Sequence, residues 1–199
     1  MTVRLLPYGP RAVLAEYSSL DEVMGVADEL RRRALPGVVE IVPAARTVLV
    51  VHDGDVTGLH DVLLHPHSAP APVAAPVVIP VRYDGEDLAA VAAAVGATVD
   101  EVVDMHSGAS YTVAFCGFLP GFAYLVGLPP SLHLPRRSTP RPRVPVGSVA
   151  IAGEFTGVYP SASPGGWHLV GTTDAVLSDD ARSEPALLAP GTPVRFDPT

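Results

Sequence analysis

SVAIAGEFTGVYPSASPGGWHLVGTT, residues 148–173, has the rhythm of short strands cut by tight turns. Val149–Ala152, Phe155–Tyr159 and Trp167–Val170 are brief runs of apolar and β-prone side chains. Gly153, Pro160 and the Pro164-Gly165-Gly166 triplet interrupt them. No helical spacing of apolar residues survives in this stretch. The same texture reaches back to Tyr111–Phe115 and forward to Val194–Phe196, so from Ser110 onward the sequence predicts a β-barrel or sandwich.

Ahead of Ser110 the pattern changes. Val77–Val81 reads as a strand, followed by two short helices, Asp87–Val95 and Val99–Met105, separated by Gly96. Residues 65–76, HPHSAPAPVAAP, alternate Pro and Ala, which favours an extended linker. Before it, Val3–Leu6 and Ala12–Tyr17 read as strands joined by the Pro7–Pro10 turn. Ser18 or Ser19 then caps a helix with Glu22 in its first turn, and Leu20, Val23, Met24, Ala27, Leu30 and Ala34 follow helical spacing up to Pro36-Gly37. Val38–Val42 and Thr47–His52 are further strands, and Val56–Leu64 a second helix. The expected organisation is α+β: a small N-terminal α/β domain (1–65), a Pro/Ala linker (66–76) and a C-terminal β domain (77–199).

Composition narrows the chemistry. The chain has 199 residues, 48% hydrophobic and 17% charged, enough apolar material for a packed core. Pro (22) and Gly (18) are abundant, in keeping with many turns. The formal net charge of −8 disfavours a nucleic-acid backbone as partner. All 13 basic residues are arginine. Without lysine the chain holds no Walker A motif, no Schiff-base amine and no biotin attachment point. One cysteine, Cys116, rules out an intramolecular disulfide and a multi-cysteine zinc site. No signal-like N-terminus and no run of about 18 apolar residues is visible, so no membrane contact is expected and the cytoplasm is the expected location.

Three segments stand out. Cys116–Leu128, CGFLPGFAYLVGL, combines turn-forming Gly117 and Gly121 with Phe118, Phe122 and Tyr124, as a rigid aromatic loop or an ordinary buried turn would. Leu134–Ser148, LPRRSTPRPRVPVGS, places Arg136, Arg137, Arg141 and Arg143 on a proline-stiffened loop, a candidate anion site in an acidic chain, set against solvated arginines balancing nearby acids. In Tyr159–Thr173, Ser163, Gly165 and Gly166 offer donors beside the lone Trp167, which reads equally as a tight hairpin with a core tryptophan. His106, at a helix end, is a candidate general base or a partner of the last carbonyls. Cys116 is a possible nucleophile or a small buried hydrophobe. His60, His65, His67 and Asp61 match no standard metal spacing, so no metal is expected.

Taken together, GFLPGFAYL (117–125), PRRSTPRPRVPVGSVAIAG (135–153) and TGVYPSASPGGWHLVGTT (156–173) resemble the signature of the 5-oxoprolinase B subunit family, also called allophanate hydrolase subunit 1 or Kip-type kinase inhibitor. The resemblance includes the DMHS step at 104–107 and runs over nearly the whole chain. It implies an N-terminal α/β domain and a cyclophilin-like β-barrel. It implies work with the C subunit of 5-oxoprolinase (allophanate hydrolase subunit 2) and with its A subunit, using ATP through the complex to open 5-oxo-L-proline to L-glutamate, the chain alone being inactive. Alternatives implied by the same family are restraint of a histidine kinase, and an allophanate hydrolase or urea carboxylase component with biotin-linked carboxyl transfer. Under the first role, Arg136, Arg137 and Arg141 would hold phosphate or carboxylate and His106 would move a proton or polarise the lactam. Ser148, Tyr159 and Ser163 would bind the substrate's polar groups, and Phe118, Phe122 and Trp167 would wall the pocket.

Overall fold

The computed structural model describes residues 3–65, 75–183 and 185–199. The chain divides into two units, Met1–Ala71 and Pro72–Thr199. Most of the expected linker, residues 66–74, lies outside the described residues.

In the first unit, strands β1 (Arg4–Pro7), β2 (Ala12–Glu16), β3 (Val38–Pro43) and β4 (Thr47–His52) form an antiparallel sheet in the order β1-β2-β4-β3. Helices α1 (Leu20–Arg33) and α2 (Leu59–Leu64) cover one face. Ser19 starts α1 with a reciprocal cap: its hydroxyl accepts the Glu22 N–H, and the Glu22 carboxylate accepts the Ser19 N–H, each at 3.3 Å. Alternate strand residues Val13, Ala15, Val48 and Val50 meet Val23, Val26, Leu30, Leu59 and Val62 in the core. The second helix begins at Leu59 rather than Val56, because Gly58 (φ 82°) occupies a left-handed turn immediately before it.

The second unit runs β5 (Val77–Val81), α3 (Leu88–Val95), α4 (Val99–Ser107), β6 (Tyr111–Cys116), β7 (Ala123–Val126), a single 3-10 turn (Pro130–Leu132), β8 (Arg141–Val144), β9 (Ser148–Ala152), β10 (Phe155–Val158), β11 (Ser163–Gly165), β12 (His168–Thr172) and β13 (Pro193–Pro198). Seven strands form one sheet in the order β12-β9-β10-β7-β6-β13-β5. Its two outer strands come back together just beyond β5: Arg82 and Thr172 exchange two backbone hydrogen bonds of 2.9 and 2.8 Å, leaving a nearly closed barrel. Glycine makes this seam possible. A Cβ on Gly85 would lie 2.3 Å from the Leu169 carbonyl oxygen, and one on Gly171 2.5 Å from that of Arg82.

Alternation along the strands sorts side chains onto two faces. Val149 and Ile151 of β9 point inward with Ile79, Val113, Leu125, Val170 and Phe196, and α3 and α4 add Leu88, Val91 and Val102 to that interior. Ala150 and Ala152 point outward and pack with Phe122, Val144, Tyr159, Trp167 and Leu169. The two-stranded β8-β11 ribbon contributes Val144 to this outer layer. Three strands escape the sequence reading. β7 is embedded in the aromatic glycine loop. β8 contains Pro142 and is tolerated because it lies in a two-stranded ribbon outside the main sheet. β11 contains Pro164 and spans three residues.

Candidate functional site

The turn between β6 and β7 is built by short hydrogen bonds: Gly117 N–H to the Phe122 carbonyl at 3.1 Å, and Phe122 N–H to that of Leu119 at 3.0 Å. Gly121 (φ 79°) leaves no room for a side chain, since a Cβ there would sit 2.7 Å from the Ser178 Cβ. Phe118 is held at φ 72°, a left-handed backbone unusual for an aromatic residue, and the residue is 59% exposed. That ring meets Phe122 edge-to-face at 5.5 Å and faces Tyr159 at 6.5 Å. Phe122 in turn contacts Tyr159 (5.3 Å) and Trp167 (5.5 Å), and Tyr124 meets Trp167 at 5.5 Å.

A small open cleft of about 80 Å³ lies on this aromatic wall. Arg136, Tyr159, Pro164, Gly165, Gly166 and Trp167 complete it. The arginine loop is pinned beside it by the Arg137 N–H to the Gly166 carbonyl (2.8 Å) and by the His168 ring to the Pro135 carbonyl (2.9 Å). Arg136 is exposed and makes no ion pair with any described residue, so its guanidinium is available to an anion. Burial pushes the Tyr159 hydroxyl above its ordinary range, opposed by Arg136, the Trp167 backbone N–H and Arg141, so it keeps its proton at neutral pH.

Arg137 and Arg141 are placed differently. Both donate to the same Asp87 carboxylate oxygen, at 2.6 and 2.8 Å, while the other oxygen accepts the Leu169 N–H at 2.7 Å. Arg141 also pairs with Glu86 at 2.5 Å. Burial alone would raise the Asp87 carboxyl; the hydrogen bonds from Arg141 and Leu169 and the two guanidinium charges outweigh it and hold it below the usual range. Arg137 Nε and Arg141 Nη1 remain buried with no described partner, so the carboxylate satisfies only part of this pair. Asp87 is not among the residues that the sequence singles out. As the residue before α3 it resembles an ordinary helix-start acid, and its partners lie 50, 54 and 82 positions away.

The structure does not bring His106 to the cleft. The ring is fully buried in the barrel, stacked on Phe196 at 4.7 Å. Nδ1 meets the Tyr83 hydroxyl at 2.8 Å and Nε2 meets Thr156 Oγ1 at 2.9 Å. Thr156 donates its own proton to the Ala150 carbonyl, so Nε2 carries the imidazole hydrogen and Tyr83 donates to Nδ1. Burial lowers the His106 pKa to about 3, and the ring is neutral. Ser148 is also outside the cleft, its hydroxyl donating to the Pro145 carbonyl at 2.9 Å. Ser163 is buried in β11 with no described hydrogen-bond partner for its hydroxyl. Cys116 Sγ lies 3.3 Å from the Leu188 carbonyl. Of the residues to which the sequence reading gives a role in the site, Phe118, Phe122, Arg136, Tyr159 and Trp167 line one cleft, together with Tyr124, Gly165 and Gly166 of the same segments. No group of three or more metal-binding side chains occurs among the described residues.

Chemically, the arrangement suits a small, flat molecule with an anionic group. The family described as carboxyltransferase domain, subdomain C and D, matches residues 3–188. A protein of Escherichia coli O157:H7, named as the B subunit of 5-oxoprolinase, is 45% identical over 173 residues, covering 82% of this chain and 79% of that protein. The chain belongs to this family, that of the 5-oxoprolinase B subunit. Another family member of the same name, from Bacillus subtilis (strain 168), is 35% identical, covering 87% of this chain and 81% of its own. The crystal structure of TTHA0988 in space group P6522 superposes with a TM-score of 0.80 at 37% identity over 95% of this chain. This member of the 5-oxoprolinase B subunit family spans only 40% of that longer protein. No helix among the described residues is long and apolar enough to cross a membrane.

Proposed function

We propose that the chain is the B subunit of an ATP-dependent 5-oxoprolinase complex, working with the A and C subunits and inactive alone. The observation that carries the reading is Arg136, an exposed guanidinium with no described ion-pair partner, standing on a cleft walled by Phe118, Phe122, Tyr124 and Trp167. 5-Oxo-L-proline is a five-membered lactam with one carboxylate. Arg136 holds the carboxylate, the aromatic rings cover the flat faces of the ring, and the protonated Tyr159 hydroxyl donates to the lactam oxygen. Arg137 and Arg141 position the loop through Asp87. In the reaction the lactam C–N bond breaks, water supplies a hydroxyl to the carbonyl carbon and a proton to the nitrogen, and a second water cleaves ATP to ADP and phosphate. The names carried by the relatives support the substrate.

The test is reconstitution. Mixing the purified chain with the A and C subunits is expected to give glutamate and ADP only when 5-oxoproline is added. No turnover in the full mixture refutes the reading. The family's description also favours a carboxyltransferase role; carboxybiotin-dependent turnover in place of 5-oxoproline turnover would put that role first.

A further inference from the structure

Every polar side chain lining the cleft carries a hydrogen-bond donor: Tyr124, Arg136, Tyr159 and Trp167. None of the four donates to a described residue. The described lining includes no carboxylate, carboxamide, imidazole or thiol, so its side-chain acceptors are the two phenol oxygens. One of these is taken, because Tyr159 Oη accepts the Trp167 backbone N–H, which leaves the Tyr159 hydrogen for a ligand. Backbone acceptors of the wall are engaged as well: the carbonyls of Phe122, Tyr159 and Gly166 accept the N–H groups of Gly117 (3.1 Å), Gly147 (2.8 Å) and Arg137 (2.8 Å). The cleft is therefore rich in unused donors and poor in acceptors.

We propose that the cleft recognises its ligand through the ligand's acceptors alone, so that it takes flat five-membered rings bearing a carboxylate and a ring carbonyl, whatever atom stands where the lactam has its nitrogen. 5-Oxo-L-proline has a carboxylate and a ring carbonyl, which accept, and a ring N–H, which donates. The first two meet Arg136 and Tyr159, and the N–H keeps its water on the open side of the cleft. A site that hydrogen-bonds a substrate N–H rejects an analogue lacking it by about 10,000-fold or more, because the site's own buried acceptor is left unpaired. Without such an acceptor that penalty does not arise. The inference rests on the proposed function and deepens it: this chain selects cyclic carbonyl acids as a class, and selection of the lactam belongs to the chemical step. A ring ketone has no heteroatom to leave, so it binds without being opened.

The experiment is a titration of the full chain followed by the emission of Trp167, the lone tryptophan, which lines the cleft. The probes are 5-oxo-L-proline, the matching lactone acid with a ring oxygen in place of the N–H, the matching cyclopentanone carboxylate with a methylene there, and 5-oxo-L-prolinamide, whose carboxylate is replaced by a neutral amide. The lactone and ketone acids are expected to bind within about threefold of 5-oxo-L-proline, and the prolinamide about 10-fold or more weaker. Tyr124→Phe, which removes the one phenol oxygen not already accepting, is expected to leave the ratio of lactam to ketone affinity unchanged, and Arg136→Ala to abolish the response. Ketone and lactone binding weaker than the lactam by about 10-fold or more overturns the inference, since the N–H is then read by the chain. No response to 5-oxo-L-proline, or a response that survives Arg136→Ala, overturns it too. Turnover in the reconstituted complex judges the proposed function separately: if 5-oxoproline is turned over while the ketone acid fails to bind, only this inference falls.

Discussion

Removing Asp87 exposes how the candidate site is held. Its side chain is 5% exposed and accepts from Arg137, Arg141 and the Leu169 backbone, so one carboxylate ties the arginine loop, β8 and β12 together. Asp87→Ala leaves the Arg141 guanidinium, 14% exposed, opposed only by the exposed Glu86, and the Leu169 N–H unpaired. Breaking a buried ion pair by deleting one partner costs about 3–5 kcal/mol. Arg137 is one-third exposed and recovers part of its hydration, so the lower end applies, about 3 kcal/mol. For a protein of this size that lowers the melting temperature by on the order of 10 °C. Urea unfolding followed by far-UV circular dichroism and by Trp167 emission measures it. The double variant Asp87→Ala/Arg141→Ala should cost clearly less than the sum of its single changes. A loss below about 1 kcal/mol for Asp87→Ala, or strict additivity in the double variant, refutes the reasoning.

Other outcomes follow from the same geometry. Arg136→Ala in the reconstituted complex should raise the KM for 5-oxoproline by about 10- to 100-fold, the loss of one charge-assisted contact; an unchanged KM removes Arg136 from the substrate. His106 titrates at about 3 when folded against about 6.5 when unfolded, so its contribution is fully present above pH 6.5 and is lost as pH falls toward 3, where the unfolded state binds the extra proton. The urea midpoint of wild type should therefore fall more steeply between pH 6.5 and 4 than that of His106→Phe; parallel profiles contradict the assignment. Gly85→Ala should destabilise the barrel by about 2 kcal/mol or more by opening the Arg82–Thr172 seam, whereas Gly117→Ala, which meets nothing within 4 Å, should stay within about 1 kcal/mol. Equal melting temperatures for the two variants would show that the seam tolerates a methyl group.

How much of the molecule is readable in the amino-acid order depends on the range of the interaction. The α1 cap is spelled by Ser19 and Glu22, three residues apart, and the alternation of Val48 and Val50 marks the core face of β4. The aromatic and arginine segments are legible as chemistry because their composition is unusual, and five of the residues given a site role from sequence meet in one cleft. What cannot be read is set by long-range pairing. The Asp87 bracket spans 50 or more residues, and the burial of His106 is decided by Tyr83, Thr156 and Phe196, which sit far from it in sequence. Strand β8 is hidden by Pro142, since a proline-rich run reads as loop unless one knows that it forms a two-stranded ribbon.

The placement of β13 has a consequence for how the barrel is made. It lies between β6, to which it runs antiparallel, and β5, to which it runs parallel, although it is the last strand of the barrel in chain order. A ribosome therefore releases β5 and β6 long before the strand that joins them exists. Until Pro193–Pro198 emerge, the nascent chain carries two unsatisfied strand edges and an uncovered apolar interior, so the barrel assembles late and is vulnerable to aggregation while it waits.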